Sequence, residues 1–257
     1  MTTMQQPIDP GAAEATAPVY VYGVVRAGAI PGVKSKGVGG GAVELVERDG
    51  LAALVTALST TELRVKRRDL DSHLRVLQEV LDTATVVPCS FATVAAPDEV
   101  TNGLLGDRRA ELLSTLDRLD GKVQMNVKAV YMEEELLRDI VKTNPQVAAL
   151  RASPKSGKKP GYQAKFQLGE FVAAAVADRR ERDAQRLVRE LAASAADVVV
   201  EEPGEAALKG SFLVSRGSLD RFDQDVEAVA RREQPLLQFE VIGPLPPTAF
   251  ASAYAGV

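Results

Sequence analysis

His73 is the only histidine of the chain and Cys89 its only cysteine. Together they are the one pair suited to nucleophilic catalysis, with the thiol as nucleophile and the imidazole as base. A single histidine removes multi-histidine metal sites and most histidine-based triads. No third group is indicated to orient the base, and Cys89 follows Pro88 in the apolar run Val86-Val87-Pro88-Cys89. There desolvation keeps a thiol protonated and inert. The expectation is a buried, non-catalytic cysteine and a structural histidine at the edge of a helix's buried face, hydrogen-bonded to a backbone carbonyl.

Three further patterns invite a chemical reading. Gly37, Gly39, Gly40 and Gly41 suggest a phosphate cradle. A dinucleotide fingerprint, however, needs strand, glycine loop and then helix, whereas a hairpin signal follows here and no Gly-Lys-Ser/Thr closes the run. A flexible turn is expected. Glu133, Glu134 and Glu135 resemble a metal site, but consecutive helical residues point in different directions, and acids at a helix start are favoured by its dipole. Finally, Lys142, Arg151, Lys155, Lys158, Lys159 and Lys165 lie in a stretch with no acid between Asp139 and Glu170. Such a loop is commonly just solvated. If it binds, Lys155, Lys158 and Lys159 are the partner-binding candidates, for an acidic surface. Only Tyr162 and Phe166 supply aromatics nearby, and no stacking motif surrounds Val127 or Phe212, so nucleic acid is not an expected partner. No catalytic, cofactor-binding or metal-ligating residue is expected, and no cofactor.

Elements must hold these residues in place. Residues 1 to 17 carry no hydrophobic period and read as a disordered leader. Val19-Tyr20-Val21-Tyr22 with Val24 and Val25 is too continuous for a one-sided strand and fits one covered on both faces. Asp49-Gly50 between two apolar runs predicts a hairpin. Leu70, Leu74, Leu77, Leu81 and Ala84 recur at helical spacing as one buried stripe. A short strand around Pro88 and a helix from Pro97 to Leu119, in two pieces around Gly103 and Gly106, complete an N-terminal α+β domain, 18–120. After Asp120-Gly121, Met125, Val127, Ala129 and Tyr131 alternate with polar residues. Helical segments over 133–150 and 164–196 follow, then strands at 198–201 and 208–215. A helix with Leu219, Phe222, Val226 and Val229 inward precedes a last strand with Leu237, Phe239 and Val241 inward. The fold class is therefore α+β in two domains. The second, 121–257, is ferredoxin-like in its β-α-β-β-α-β order, with the basic loop inserted in its first helical segment.

Composition sets the outer bounds. The 257 residues include 46% hydrophobic side chains, enough for a sizeable core, but no tryptophan and 5% aromatics. Packing must rest on Leu, Val and Ala. A net charge of −4 argues against attraction of the whole chain to phosphate backbones or anionic membranes. No apolar run nears the roughly 20 residues that span a bilayer, and nothing resembles a secretory signal, so a cytoplasmic location is expected.

Three segments carry a resemblance: Val19-Tyr20-Val21-Tyr22-Gly23-Val24-Val25, then Val86 to Val94 (VVPCSFATV), then Ile242 to Phe250 (IGPLPPTAF). In this order they resemble the gas vesicle GvpF/GvpL family, whose members show an opening Tyr-Gly strand, a central Leu-Pro-Leu-Arg-Phe-Gly-Thr strand and a closing Gly-Pro-x-Pro-Pro-Tyr-Ser-Phe element. His73 also matches a histidine commonly found on the helix before the central strand. Ser90 stands where an Arg is usual, Ala92 where a Gly is usual, and Thr248-Ala249 replace Tyr-Ser. The resemblance covers residues 18 to about 250. It implies a two-domain protein with a ferredoxin-like second domain, not an enzyme. Such a protein serves gas vesicle assembly by binding the shell protein GvpA and other accessory Gvp proteins, and locates to the cytoplasm and the gas vesicle. The alternative from the residues alone is a small-molecule-binding regulatory protein with a ferredoxin-like domain, and fold alone does not choose between them.

Overall fold

The computed structural model describes residues 17–29, 32–59, 66–145, 162–202 and 204–251. The expected leader and the basic loop with Lys155, Lys158 and Lys159 lie outside them. The chain divides into two compact units, with the break between Asp120 and Gly121 and the second unit reaching Phe250.

In the first unit, β1 (Val19–Arg26) sits inside a sheet ordered β2-β3-β1-β4, with β2 at Glu44–Arg48, β3 at Leu51–Ala57, β4 at Val87–Pro88 and β5 at Val94–Ala95 pairing β1 as well. All these pairs are antiparallel. Every residue from Val19 to Val25 is buried, as the unbroken β-branched and aromatic run requires of a strand covered on both sides. The turn between β2 and β3 has positive φ at both Asp49 (47°) and Gly50 (86°), the geometry that makes Asp-Gly a hairpin signal. Gly23 marks a bulge against β3. A Cβ there would come within 2.7 Å of the Val87 carbonyl oxygen and 2.9 Å of the Val86 side chain, so only glycine lets the central strand approach this closely.

Helix α1 (Arg67–Leu81) starts where the Lys66 N–H donates to the Asp69 carboxylate at 2.9 Å. Its buried face differs from the expected leucine stripe. Asp69, His73, Val76, Leu77, Val80 and Leu81 are buried, while Leu70 and Leu74 are 38% and 47% exposed. Counting apolar residues misplaced the face because Asp69 and His73 are polar yet hydrogen-bonded, and a satisfied polar group can sit inside. The predicted helix at 97–119 also differs. Its first part, Glu99–Asp107, is a π-helix, and only Arg109–Leu119 forms α2. Arg48 clasps the wider turns, donating to the Thr101 carbonyl and to Asn102 Oδ1. Gly103 and Gly106 leave the backbone free to open them.

The second unit has β6 (Lys122–Tyr131), α3 (Glu133–Thr143), α4 (Tyr162–Ala192), β7 (Asp197–Val200), β8 (Ala206–Ser215), α5 (Leu219–Glu233) and β9 (Leu237–Leu245). Its four strands lie in the order β7-β8-β6-β9, antiparallel throughout. Met125, Val127, Ala129 and Tyr131 point to one face, as their alternation predicts, and form one core with Leu136 and Ile140 of α3, Leu187 and Leu191 of α4, and Phe222, Val226 and Val229 of α5. Burying each such side chain contributes about 1.5–3 kcal/mol. Val241 departs from its expected inward place and is 40% exposed, since β9 is an edge strand that runs past its helix cover. At Gly243 the pairing with β6 shifts register, and a Cβ there would strike Met125 and lie 3.0 Å from the Gln124 carbonyl oxygen.

Candidate functional site

His73 lies 2% exposed, near the centre of the α1 face rather than at its edge, and its partner is a side chain rather than a carbonyl. Its Nδ1 is 3.0 Å from the Tyr20 hydroxyl, and that hydroxyl accepts the Ala92 N–H at 3.0 Å. The Tyr20 hydroxyl thus serves both the imidazole and the Ala92 amide. Tyr22 stacks on the imidazole at 5.7 Å and Phe91 meets it edge-on at 5.6 Å. Tyr22 in turn accepts the Val38 N–H at 2.7 Å and pairs with the Thr56 hydroxyl at 3.0 Å. Burial holds His73 neutral, pushing its pKa down to about 4, and pushes the Tyr20 phenol well above its usual range.

Cys89 is buried, its thiol pushed up to about 12 by burial, against a weaker opposing pull from Arg108. Its N–H pairs with the Tyr22 carbonyl, and among the described residues no hydrogen bond joins Cys89 to His73. A neutral thiol and a neutral imidazole, both closed off from solvent, form a packed core and not a nucleophile-base pair.

The glycine run spends its amides internally. Gly37 N–H bonds Gly41 O at 2.8 Å and Gly40 N–H bonds Gly37 O at 2.9 Å, while Val38 N–H is held by Tyr22, so these donors do not converge on an anion. Glu133 and Glu134 are exposed at the start of α3, and Glu135 pairs with Arg138. Among the described residues no group of three His, Cys, Asp or Glu side chains is placed to hold a metal ion, and no helix is long and apolar enough to cross a membrane.

One polar cluster escaped the sequence reading. Asp183, buried on α4, accepts the Tyr131 hydroxyl at 2.9 Å, Arg179 Nε at 2.8 Å and Arg186 Nη2 at 3.0 Å. Arg179 also reaches Asp139 of α3, and Arg186 reaches Glu233 of α5 at 2.7 Å. Burial alone would raise the Asp183 carboxyl, but hydrogen bonds from Arg186, Arg179 and Tyr131 outweigh it and hold it below the usual range. The signal was present as opposite charges three and four residues apart on one helix, but the same spacing is ordinary on solvated faces.

The sequence profile described as "Gas vesicle synthesis protein GvpL/GvpF" matches residues 18–252. The chain belongs to the GvpL/GvpF family. It is 35% identical over 236 residues to gas vesicle protein F of a Streptomyces species, covering 90% of this chain and 98% of that one. It is 28% identical to gas vesicle protein L of the same species, covering 90% and 92%. The fold is that of the crystal structure of GvpF from Anabaena, with a TM-score of 0.81 at 22% identity, covering 91% of this chain and 98% of that one. GvpF from Microcystis aeruginosa matches with a TM-score of 0.72. A gas vesicle-related role follows for this GvpL/GvpF member. The three segments that resembled the family bear on closure of the units. The first is the central strand with Gly23, the second carries Ala92 beneath Tyr20, and the third folds Ala249 N–H onto Gln124 Oε1 at 2.8 Å.

Proposed function

We propose that this GvpL/GvpF member is an accessory assembly protein that binds the gas vesicle shell protein GvpA and other accessory Gvp proteins, in the cytoplasm and at the vesicle, without catalysing a reaction. The observation that carries the proposal is the family match across residues 18–252. The inert state of His73 and Cys89 agrees with it, since the one nucleophile-base pair the sequence offers is packed away. The second unit is read as ferredoxin-like on its strand order β7-β8-β6-β9 with helices on one face. A protein that accompanies a strongly apolar shell subunit acts by covering its surface or strand edge before assembly, which a small antiparallel sheet can do. Lys155, Lys158 and Lys159 remain the proposed contact for an acidic partner.

Deleting the gene tests this directly. Vesicle yield is expected to fall or vanish, and full-length tagged protein is expected to capture co-expressed GvpA. A normal yield with no paralogue present, together with no capture, would overturn the reading. Reversing Lys155, Lys158 and Lys159 to Glu is expected to weaken capture and change its salt dependence.

A further inference from the structure

Helices α3, α4 and α5 cover one face of the second sheet, packing on Met125, Val127, Ala129 and Tyr131. The side chains between those positions point to the other face. One end of that face is closed, since Gln124 and Leu213 are buried there and Ala249 N–H meets Gln124. Its middle is open. Lys128 of β6 stands directly opposite Lys209 of β8 on one side and Glu240 of β9 on the other. Both lysines are exposed. Lys209 turns to Glu201 at 2.5 Å, whereas Lys128 forms no ion pair among the described residues. Like charges directly opposite on neighbouring strands destabilise a sheet, so this juxtaposition favours an acid laid over it. Val130, Val199 and Ile242, all exposed, stand around the lysines on the same face. The chain carries the complement of this patch just beyond β6. Helix α3 buries Leu136 and Ile140 and turns Glu133, Glu134 and Leu137 outward, within one helical turn of each other. Met132 is exposed immediately before them. Neither Glu133 nor Glu134 is in a salt bridge among the described residues.

We infer that the open face of the second sheet binds a second copy of this chain, with Glu133 and Glu134 of each copy over Lys128 and Lys209 of the other. Met132 and Leu137 then meet Val130, Val199 and Ile242. The occupant is a second copy because both halves of the contact are exposed on the one sequence, two acids against two lysines with apolar residues beside each. Stacking the two open faces directly would set lysine against lysine, so the acids of α3 are needed. The two patches adjoin at the end of β6 that leads into α3. A two-fold axis therefore forms both contacts at once and closes the pair as a dimer rather than a growing chain. The interface is small and guided by surface charge, so the dimer is weak and sensitive to salt. This inference goes beyond the assembly reading and does not depend on it.

Sedimentation velocity of the full chain over a concentration series tests it. At low salt the wild type is expected to pass from monomer to dimer as concentration rises, and the dimer is expected to weaken in high salt. Lys128→Glu with Lys209→Glu, and separately Glu133→Lys with Glu134→Lys, are each expected to weaken dimerisation about tenfold. Combining all four exchanges the charges across the interface and is expected to restore it. Leu70→Lys on α1 leaves the dimer unchanged. The four side chains are exposed, and circular dichroism with the thermal midpoint checks that each variant folds. Where a reversed pair does not fold, Lys128→Gln and Glu133→Gln take its place, and each is expected to weaken the dimer. A wild type that stays monomeric at every concentration, a dimer indifferent to salt, or a combined variant no better than either pair overturns the inference. Growth past the dimer overturns it as well. Vesicle yield and capture of GvpA are read separately, so none of these results decides the assembly reading.

Discussion

The Tyr20 hydroxyl is hydrogen-bonded to Nδ1 of His73 across 3.0 Å while accepting the Ala92 N–H, so one phenol joins the central strand, the helix above it and the segment between β4 and β5. The imidazole it serves is buried and the Ala92 amide is part-buried. Tyr20→Phe keeps the ring and removes the oxygen, leaving an imidazole nitrogen and an amide without partners. A loss of about 2–4 kcal/mol in urea unfolding is expected from two orphaned groups.

The same contact sets a pH dependence. His73 has its pKa lowered from 6.5 to about 4 in the folded protein, so the unfolded chain binds its proton first as pH falls. Its contribution to stability is fully present above about 6.5, declines through the interval down to about 4, and declines no further below that. His73→Gln is expected to flatten the stability-pH curve by up to one proton in this interval, measured as the difference in slope from wild type.

Ala92 holds φ at +66°, a left-handed conformation that costs an L-residue about 1–2 kcal/mol. The family resemblance has glycine at this position. Ala92→Gly removes the strain but adds about 0.5–1 kcal/mol of unfolded-state entropy. A net gain of about 0.5–1 kcal/mol is expected, seen as a higher denaturation midpoint with an unchanged m-value.

Asp183 is expected to be the most sensitive charged position of the second unit. Asp183→Asn leaves Arg179 and Arg186 partly buried without their shared carboxylate, and breaking such a cluster typically costs about 3–5 kcal/mol. Because its carboxyl is held low in the folded state, its stabilising share is present above the unfolded carboxylate pKa and lost as pH falls through the folded value. Acid titration of the Asn variant should lack that final loss.

Cys89 offers the simplest check of core packing. With its pKa near 12 and its side chain 5% exposed, the native protein is expected to resist a thiol reagent at pH 8 and to react fully once unfolded.

What the residues revealed follows from which forces act locally. The hairpin at Asp49-Gly50 and the alternation of β6 were legible because turn conformation and a two-residue period are properties of neighbours in the chain. The α1 face was not, since His73 and Asp69 go inside only by virtue of Tyr20 and the Lys66 N–H, and Tyr20 is remote in sequence. Val241 was read as inward by the same period that worked for β6, but whether a strand's face is covered depends on where it lies in the sheet. Lys155, Lys158 and Lys159, chosen for a charge run, lie outside the described residues, so their role rests on the proposed experiments. The Asp183 cluster was invisible because ion pairs on a helix look alike whether solvated or buried.

Gln124 is 3% exposed. Its Nε2 reaches Asn126, which also takes the Ser211 hydroxyl, and its Oε1 is satisfied by the Ala249 N–H. β6, at the beginning of the second unit, therefore waits on residues made more than a hundred positions later, as the separation in the 125-residue span of that last bond states. During synthesis, at about 5–20 residues per second, β6 has neither β9 beside it nor Ala249 over Gln124 until nearly all of the unit has been made. All of the first unit up to Asp120 is made before the second begins. The second keeps the inner face of β6 and its polar row open until the last segment emerges, making this interval the one in which a nascent chain most needs shelter.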